Sequence, residues 1–337
     1  MPKFFFITGA VLLFLFTVWL FLAFASTKTY PVNFGISFNQ NHAASLGLNW
    51  KDTYLALLED LHPQYIRIAA MWSEVEKEDG IFDYSDVDWM MNEAQKNGAK
   101  VLLVVGQKAP RWPECHVPSW VHDKNSERAA YVFRYIQTTV LRYANHPALE
   151  FWQVENEPFI RFAFGDCAGY DNTIFGEEVE LVRQTDPIHE IIVTDSGELS
   201  TWRRASRAGD IFGSTLYRVV RTPRGFIFSY NWLPASFYRF KSMFWGRRYE
   251  NFFIVELQAE PWFTDTTPLD TPIHVQEETM DPIRMKKHIA YARHVGASRA
   301  YFWGVEWWYF MKEKNGDARY WDIAKETLLS PKQKTGE

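Results

Sequence analysis

Two glutamates about a hundred residues apart carry the most legible chemistry in this chain: Glu157, in Trp152-Gln-Val-Glu-Asn-Glu-Pro158, and Glu256, in Phe252-Phe-Ile-Val-Glu-Leu-Gln-Ala-Glu-Pro-Trp262. Each follows a short apolar run that reads as a buried strand. A pair of carboxylates delivered by two strand ends of one scaffold suits cleavage of an acetal such as a glycosidic bond. One group protonates the leaving oxygen while the other attacks or activates water. Each has a rival. Glu155 shares a face with Glu157 on an ideal strand, although strand ends often bulge. Glu260 lies four residues farther into the loop than Glu256 and reads as a substrate-contact or surface carboxylate. Glu74, Glu76, Glu198 and Glu306 also fall near strand ends, where a solvated or structural role is the commoner fate of a loop glutamate.

Such a pair needs a scaffold that ends many strands at one place. Apolar strand-like runs alternate with amphipathic helical stretches from about Val32 to Ser330. That alternation is the mark of parallel strands joined by helices. Strands are expected at Asn33 to Phe38, Tyr65 to Ala70, Lys100 to Gly106, Leu149 to Val154, Glu190 to Asp195, Ile211 to Tyr217, Phe252 to Glu256 and Arg299 to Trp303. Helices are expected at Asp52 to Leu61, Asp86 to Asn97, Ser126 to Asn145, Gly176 to Thr185 and Asp281 to His294. Eight such units close into a (β/α)8 TIM barrel, which takes roughly 250 residues or more. Its chemistry gathers where strands end, so Glu157 and Glu256 fall after the fourth and seventh. The other strand-end loops are polar and aromatic, with Asn39 after the first, Gln107 and Trp112 after the third and Trp303 after the eighth. A wide, aromatic-lined cleft is expected, with Trp120, Trp232, Trp262, Trp307 and Trp308 as further candidates for its walls or for plain packing.

With 337 residues, one catalytic domain from about residue 32 to 330 suffices, followed by a polar tail over 331–337. The net charge of −5 and the lack of a Lys/Arg block argue against nucleic acid as a partner. No His-Glu-x-x-His, phosphate-binding loop, Gly-x-Gly-x-x-Gly turn or Gly-x-Ser-x-Gly elbow occurs, and His42 and His116 fit no metal spacing, so neither cofactor nor metal is expected.

The first 26 residues are a different material, with an apolar stretch from Phe4 to Ala25 behind Lys3 and a short linker, residues 27–31, after it. The stretch is long enough to cross a bilayer. A cleaved signal peptide ending at Ala23-Phe-Ala25 competes with an uncleaved anchor, which the length favours. Either reading exports the remainder, and the positive charge at the short end keeps that end cytoplasmic. Export permits a disulfide between the only cysteines, Cys115 and Cys167, in loops expected to follow consecutive strands.

At these residues the chain resembles glycoside hydrolase clan A, the retaining β-glycosidase superfamily with catalytic glutamates on strands four and seven of its barrel. The segment Trp72-Ser-Glu-Val-Glu76 with Gly80-Ile-Phe-Asp83 looks like the one after strand two in β-galactosidase-like and xylosidase-like members, and Glu76 is its fixed element. The resemblance makes Glu157 the acid/base, Glu256 the nucleophile and Asn156 a ligand of the sugar 2-hydroxyl. It implies that Arg67 orients the nucleophile, that Tyr217 hydrogen-bonds it and that Trp303 floors the sugar subsite. It implies a carbohydrate substrate cleaved with retention, and leaves the sugar, transglycosylation, a catalytically silent sugar-binding barrel and the oligomeric state open.

Overall fold

A computed structural model describes residues 2–330 other than 123, 125, 126, 161–164, 223 and 265, with side chains from Phe5 onward. The expected polar tail and the start of the expected helix at Ser126 lie outside the described residues.

Eight parallel strands close into a barrel: β1 (Asn33–Ser37), β2 (Tyr65–Ala69), β3 (Lys100–Val105), β4 (Leu149–Val154), β5 (Glu190–Asp195), β6 (Ile211–Leu216), β7 (Phe252–Gln258) and β8 (Arg299–Trp303). Each pairs with its sequence neighbours, and β8 closes on β1 with Asn33 opposite Arg299 and Ser37 opposite Trp303. This is the expected (β/α)8 fold. Helices flank the strands, among them Trp50–Leu61, Ser85–Lys96, Arg128–Tyr143, Phe175–Thr185, Ser236–Phe244 and Pro282–Val295. Helix starts differ from expectation where another side chain caps first. Asn49, not Asp52, opens Trp50–Leu61, its side chain accepting from the amide of Lys51 at 3.0 Å. A short hairpin, Val219–Arg221 paired with Ile227–Ser229, follows β6.

The strands sort their side chains by parity. On β2, Ile66 and Ile68 face the helix layer, which leaves Tyr65, Arg67 and Ala69 for the inside of the barrel. On β4 the same alternation sends Trp152 and Val154 outward and Phe151 and Gln153 inward. Near its lower end Arg299 binds both oxygens of Glu150 at 2.6 and 3.0 Å and stacks 3.6 Å from the centroid of Tyr65. Above it Leu102, Ile192, Ile211, Phe253, Val255 and Tyr301 fill the interior.

Strand β7 runs two residues past its expected end at Glu256. Its register against β6 shifts there: Ser214 pairs with Ile254, but Thr215 pairs with Glu256. Without that irregularity Glu256 would follow inward-facing Val255 to the helix side; with it, both face the barrel. Gly213 permits the arrangement, since a Cβ there would meet Val255 Cγ1 at 2.5 Å.

Cys115 and Cys167 form a disulfide with Cα atoms 5.1 Å apart, joining the loops after β3 and β4. Closing a loop of 52 residues constrains the unfolded chain. Cys167→Ser is therefore expected to lower stability by about 2–4 kcal/mol, read as a reduced denaturant midpoint. An unchanged midpoint would mean that other contacts already hold these loops.

Candidate active site

The site is built around Arg67, which is fully buried. Its Nε donates to Gln153 Oε1 at 2.9 Å, Nη2 to Asn156 Oδ1 at 2.8 Å, and Nη1 to Glu256 Oε1 at 3.0 Å and to the Val255 carbonyl at 3.3 Å. One planar cation thereby ties β2 to β4 and β7. The Tyr217 hydroxyl, just past β6, donates to the other oxygen of Glu256 at 2.8 Å. Both carboxylate oxygens of Glu256 thus have fixed donors, which sets the direction of their remaining lone pairs.

Glu157 reaches the same cleft by a backbone reversal. Glu155 and Glu157 both adopt positive φ, 56° and 46°, where residues with a Cβ are uncommon and cluster at functional sites. Glu155 turns beneath the loop after β3, accepting from the amides of Gln107 at 2.7 Å and Lys108 at 2.5 Å. Gly106 allows this approach, because a Cβ there would lie 2.4 Å from Glu155 Oε1. Glu155 therefore serves the backbone, and Glu157 is the carboxyl that lines the cleft. The Glu157 amide donates to Thr194 Oγ1 at 2.9 Å and its carbonyl accepts from Lys108 Nζ at 3.2 Å. Burial first, then the charges of Glu256 and Glu114, raise the Glu157 carboxyl well above the ordinary range. No described cation pairs with that carboxyl at ion-pair distance.

The cleft lies open between Glu114, Asn156, Glu157, Tyr217, Glu256, Trp262 and Trp303 and the apolar side chains of Ile160, Leu199 and Val220. Of these carboxyls, Glu157 and Glu256 were expected from the sequence. Glu114 was not. Burial, opposed by Lys108, pushes its carboxyl up to about 7. It sits at φ 69° beside the disulfide and accepts from Asn156 Nδ2 at 3.4 Å. Lys108, also unforeseen, lies under the Glu157 backbone. The only sequence signal for either was a place in the polar loop after β3. Glu198 lines the cleft too, and burial raises it to about 7.

The remaining sequence candidates scatter. Trp303 lines the cleft at the end of β8, its ring 4.0 Å from the guanidinium carbon of Arg111. Asn39 borders an adjoining recess with Arg67 and Trp303, but its side chain accepts the amide of His42 at 2.9 Å and so caps a helix. Gln107 is buried with its amide on Glu155 and stands apart from the cleft lining. Trp112 is 74% exposed and also stands apart. Trp307 and Trp308 are core residues, while Trp120 bonds the Glu76 carbonyl at 2.8 Å. Glu76 is a loop staple, accepting from Trp72 at 2.7 Å and from Gly80 at 2.9 Å and paired with Arg134.

His42, Glu260 and Glu306 place three ligand-type atoms within 4.8 Å of one another. Arg111 already pairs with both carboxylates, reaching Glu306 at 2.8 Å and Glu260 Oε2 at 3.1 Å. Burial opposes ionisation of Glu260, yet Arg111 and His42 outweigh it and hold this carboxyl down at about 2. The cluster is a resident ion-pair network beside Trp303.

No family model and no curated protein matches the chain. Solved structures do. A β-galactosidase from the haloarchaeon Halorubrum lacusprofundi superposes with a TM-score of 0.63 at 15% identity, over 90% of this chain and 59% of that one. The chain shares the barrel fold of that protein. Xylanase 10B from Thermotoga maritima matches with a TM-score of 0.53 at 13% identity, over 83% of this chain and 84% of the xylanase. A GH5_18 protein from Streptomyces cattleya, in complex with GlcNAc, gives 0.55 at 13% identity, over 82% and 71%. The chain spans less than two thirds of the β-galactosidases it matches, 59% and 54% for two of them. At these identities the likeness is one of fold.

The raised Glu157 carboxyl has a consequence for stability. The native state keeps a proton that the unfolded chain releases near an ordinary glutamate pKa of about 4.3. The group's contribution to stability therefore falls as pH rises past that value. Glu157→Gln, which cannot ionise, is expected to raise Tm, with the gap to the parent widening as pH rises above about 5. A gap independent of pH would mean that Glu157 titrates as a solvated carboxyl.

Proposed function

We propose that this chain is a retaining glycoside hydrolase of the clan A type, cleaving β-linked glycosides through a covalent glycosyl-enzyme. The reading is carried by one observation. Of two carboxyls lining one cleft, Glu256 has a donor on each oxygen, and Glu157 is half-buried without a cation and held toward its protonated form. That is the division of labour the chemistry requires.

In the first step Glu157 gives its proton to the glycosidic oxygen while Glu256 attacks the anomeric carbon, forming a glycosyl ester and releasing the aglycone alcohol. In the second, Glu157, now a carboxylate, takes a proton from water as the water oxygen displaces Glu256. Arg67 and Tyr217 hold the attacking oxygens in line before the bond forms and bind the carboxylate again when it leaves. Because Arg67 donates to Asn156 Oδ1, the Asn156 amide must present its N–H groups elsewhere, toward Glu114 and the cleft, where a sugar hydroxyl can accept. Trp303 and Trp262 offer flat faces for a sugar ring. We further propose that the N-terminal helix stays attached as an anchor, since Phe5–Ala25 is apolar throughout and long enough to span a bilayer.

The test separates the two glutamates. Glu157→Ala should lose about 10²–10⁴-fold on substrates with poor leaving groups and much less on activated aryl glycosides, which need little proton assistance. Added azide should restore its turnover and yield a β-azide. Glu256→Gln should be inactive on both substrate types. Rescue of Glu155→Ala alongside a fully active Glu157→Ala would move the acid/base to the neighbouring residue, and inactivity of the parent on a broad glycoside panel would favour a silent sugar-binding barrel.

A further inference from the structure

The N-terminal helix does not stand clear of the barrel. Its last turns pack on the loop and helix that follow the β6 hairpin. Trp19 Nε1 donates to the Trp232 carbonyl at 2.8 Å, Ser236 Oγ to the Leu22 carbonyl at 2.7 Å, and the Phe21 and Phe240 rings lie 5.4 Å apart. Beyond the helix, the Tyr30 amide donates to the Arg293 carbonyl at 2.7 Å and the Tyr249 hydroxyl to that of Pro31 at 2.7 Å. Arg293 ends a helix that leads into β8, and Tyr249 immediately precedes β7, so both mark the floor of the barrel, away from the cleft. Followed back from β1, the chain climbs from that floor to Trp232, two residues from the cleft-lining Tyr230. The rest of the helix, exposed to solvent, continues on the cleft side.

This direction fixes a depth. At about 1.5 Å per residue, Trp19 lies roughly 9 Å inside the helix end at Ala25. A bilayer that contains the helix therefore reaches the level of Trp232. The loops of this face are built for such contact: Trp112, Phe226 and Trp232 are 74, 70 and 57% exposed, and Phe228, Leu199 and Leu269 are exposed as well. All six follow strand ends, on the catalytic face. Single apolar groups are exposed elsewhere too, as at Ile188 and Phe244, but those on this face are continuous with a helix long enough to span a bilayer, which makes a lipid bilayer their occupant.

We propose that the catalytic face is turned toward the membrane, with the hairpin tip and Trp232 seated in the bilayer interface, and that the cleft takes the sugar headgroup of a glycolipid. The substrate half rests on the glycosidase reading above. Hydrolysis would follow the same two steps, with the lipid alcohol leaving first, protonated by Glu157, and the sugar second. The apolar walls Ile160, Leu199 and Val220 suit the lipid-proximal end of such a substrate.

Two measurements on the full chain in phosphatidylcholine and phosphatidylglycerol vesicles test this. The two native cysteines are paired, so Phe226→Cys can be labelled singly with an environment-sensitive fluorophore. Ile188→Cys, 79% exposed ahead of β5 on the floor, is the control. Nitroxide-bearing lipids should quench the label at 226 and spare that at 188. Quenching at 188, or at neither site, overturns the orientation. In the same vesicles, a panel of β-glycosyl diacylglycerols is compared with soluble aryl β-glycosides of the same sugars. The Phe226→Glu, Phe228→Glu double variant should lose about tenfold or more on the embedded substrate while the aryl glycosides change less than about twofold. Cleavage of aryl glycosides with none of any glycolipid overturns the substrate class and leaves the glycosidase standing. Cleavage of neither overturns the glycosidase reading together with the substrate class, and the quenching result still decides the orientation.

Discussion

The arrangement depends on a cation with no access to water. Arg67 sits inside the barrel near its upper end, and removing a guanidinium from water costs several kcal/mol that only well-placed acceptors can offset. Those acceptors are Gln153, Asn156, Glu256 and the Val255 carbonyl, from strands or strand ends on different sides of the barrel. Gln153 is placed by the ordinary alternation of β4, and the others by local departures from regularity. The register shift in β7 turns Glu256 inward, Gly213 makes room for Val255, and the left-handed Glu155 carries Asn156 back toward the guanidinium. A buried charge tolerates little error in its partners, so satisfying Arg67 fixes the positions of the groups around it.

The second organising feature is an uneven distribution of charge among carboxyls. Glu260 and Glu306 share Arg111, and Glu256 has Arg67. Glu157, Glu114 and Glu198 line the same cleft half-buried and without such a partner, and all three are pushed toward their protonated forms. Groups of one chemical type are thereby sorted into acceptors of proton charge and donors of protons by what lies within a few ångströms.

What could be read from the sequence follows from periodicity and strand ends. All eight barrel strands and their order were legible because buried parallel strands are short apolar runs between helical patterns. Strand ends shifted by one or two residues where the backbone bends, as at Glu256, because alternation carries no signal for a register shift. The disulfide was legible from two cysteines in adjacent loops. Lys108, Arg111 and Glu114 were not: they sit in an irregular loop whose turns, with Arg111 and Glu114 at positive φ, leave no periodic trace. Asn39, Gln107 and Trp112 were named for their type and place on strand-end loops. Type does not reveal that the Asn39 side chain is engaged in a helix cap, the Gln107 amide in a loop contact, and that Trp112 faces outward.

The claim at the centre is that Glu256, gripped by Arg67 and Tyr217, becomes bonded to sugar during turnover. Its most direct measurement is mass spectrometry of peptides after inactivation with activated fluorosugar glycosides, which slow the second step and leave the glycosyl-enzyme in place. Labelling on the peptide carrying Glu256, lost in Glu256→Gln and retained in Glu157→Gln, is the expected result. A label on Glu157, Glu114 or Glu260, or a product of inverted anomeric configuration with no covalent species, would contradict it.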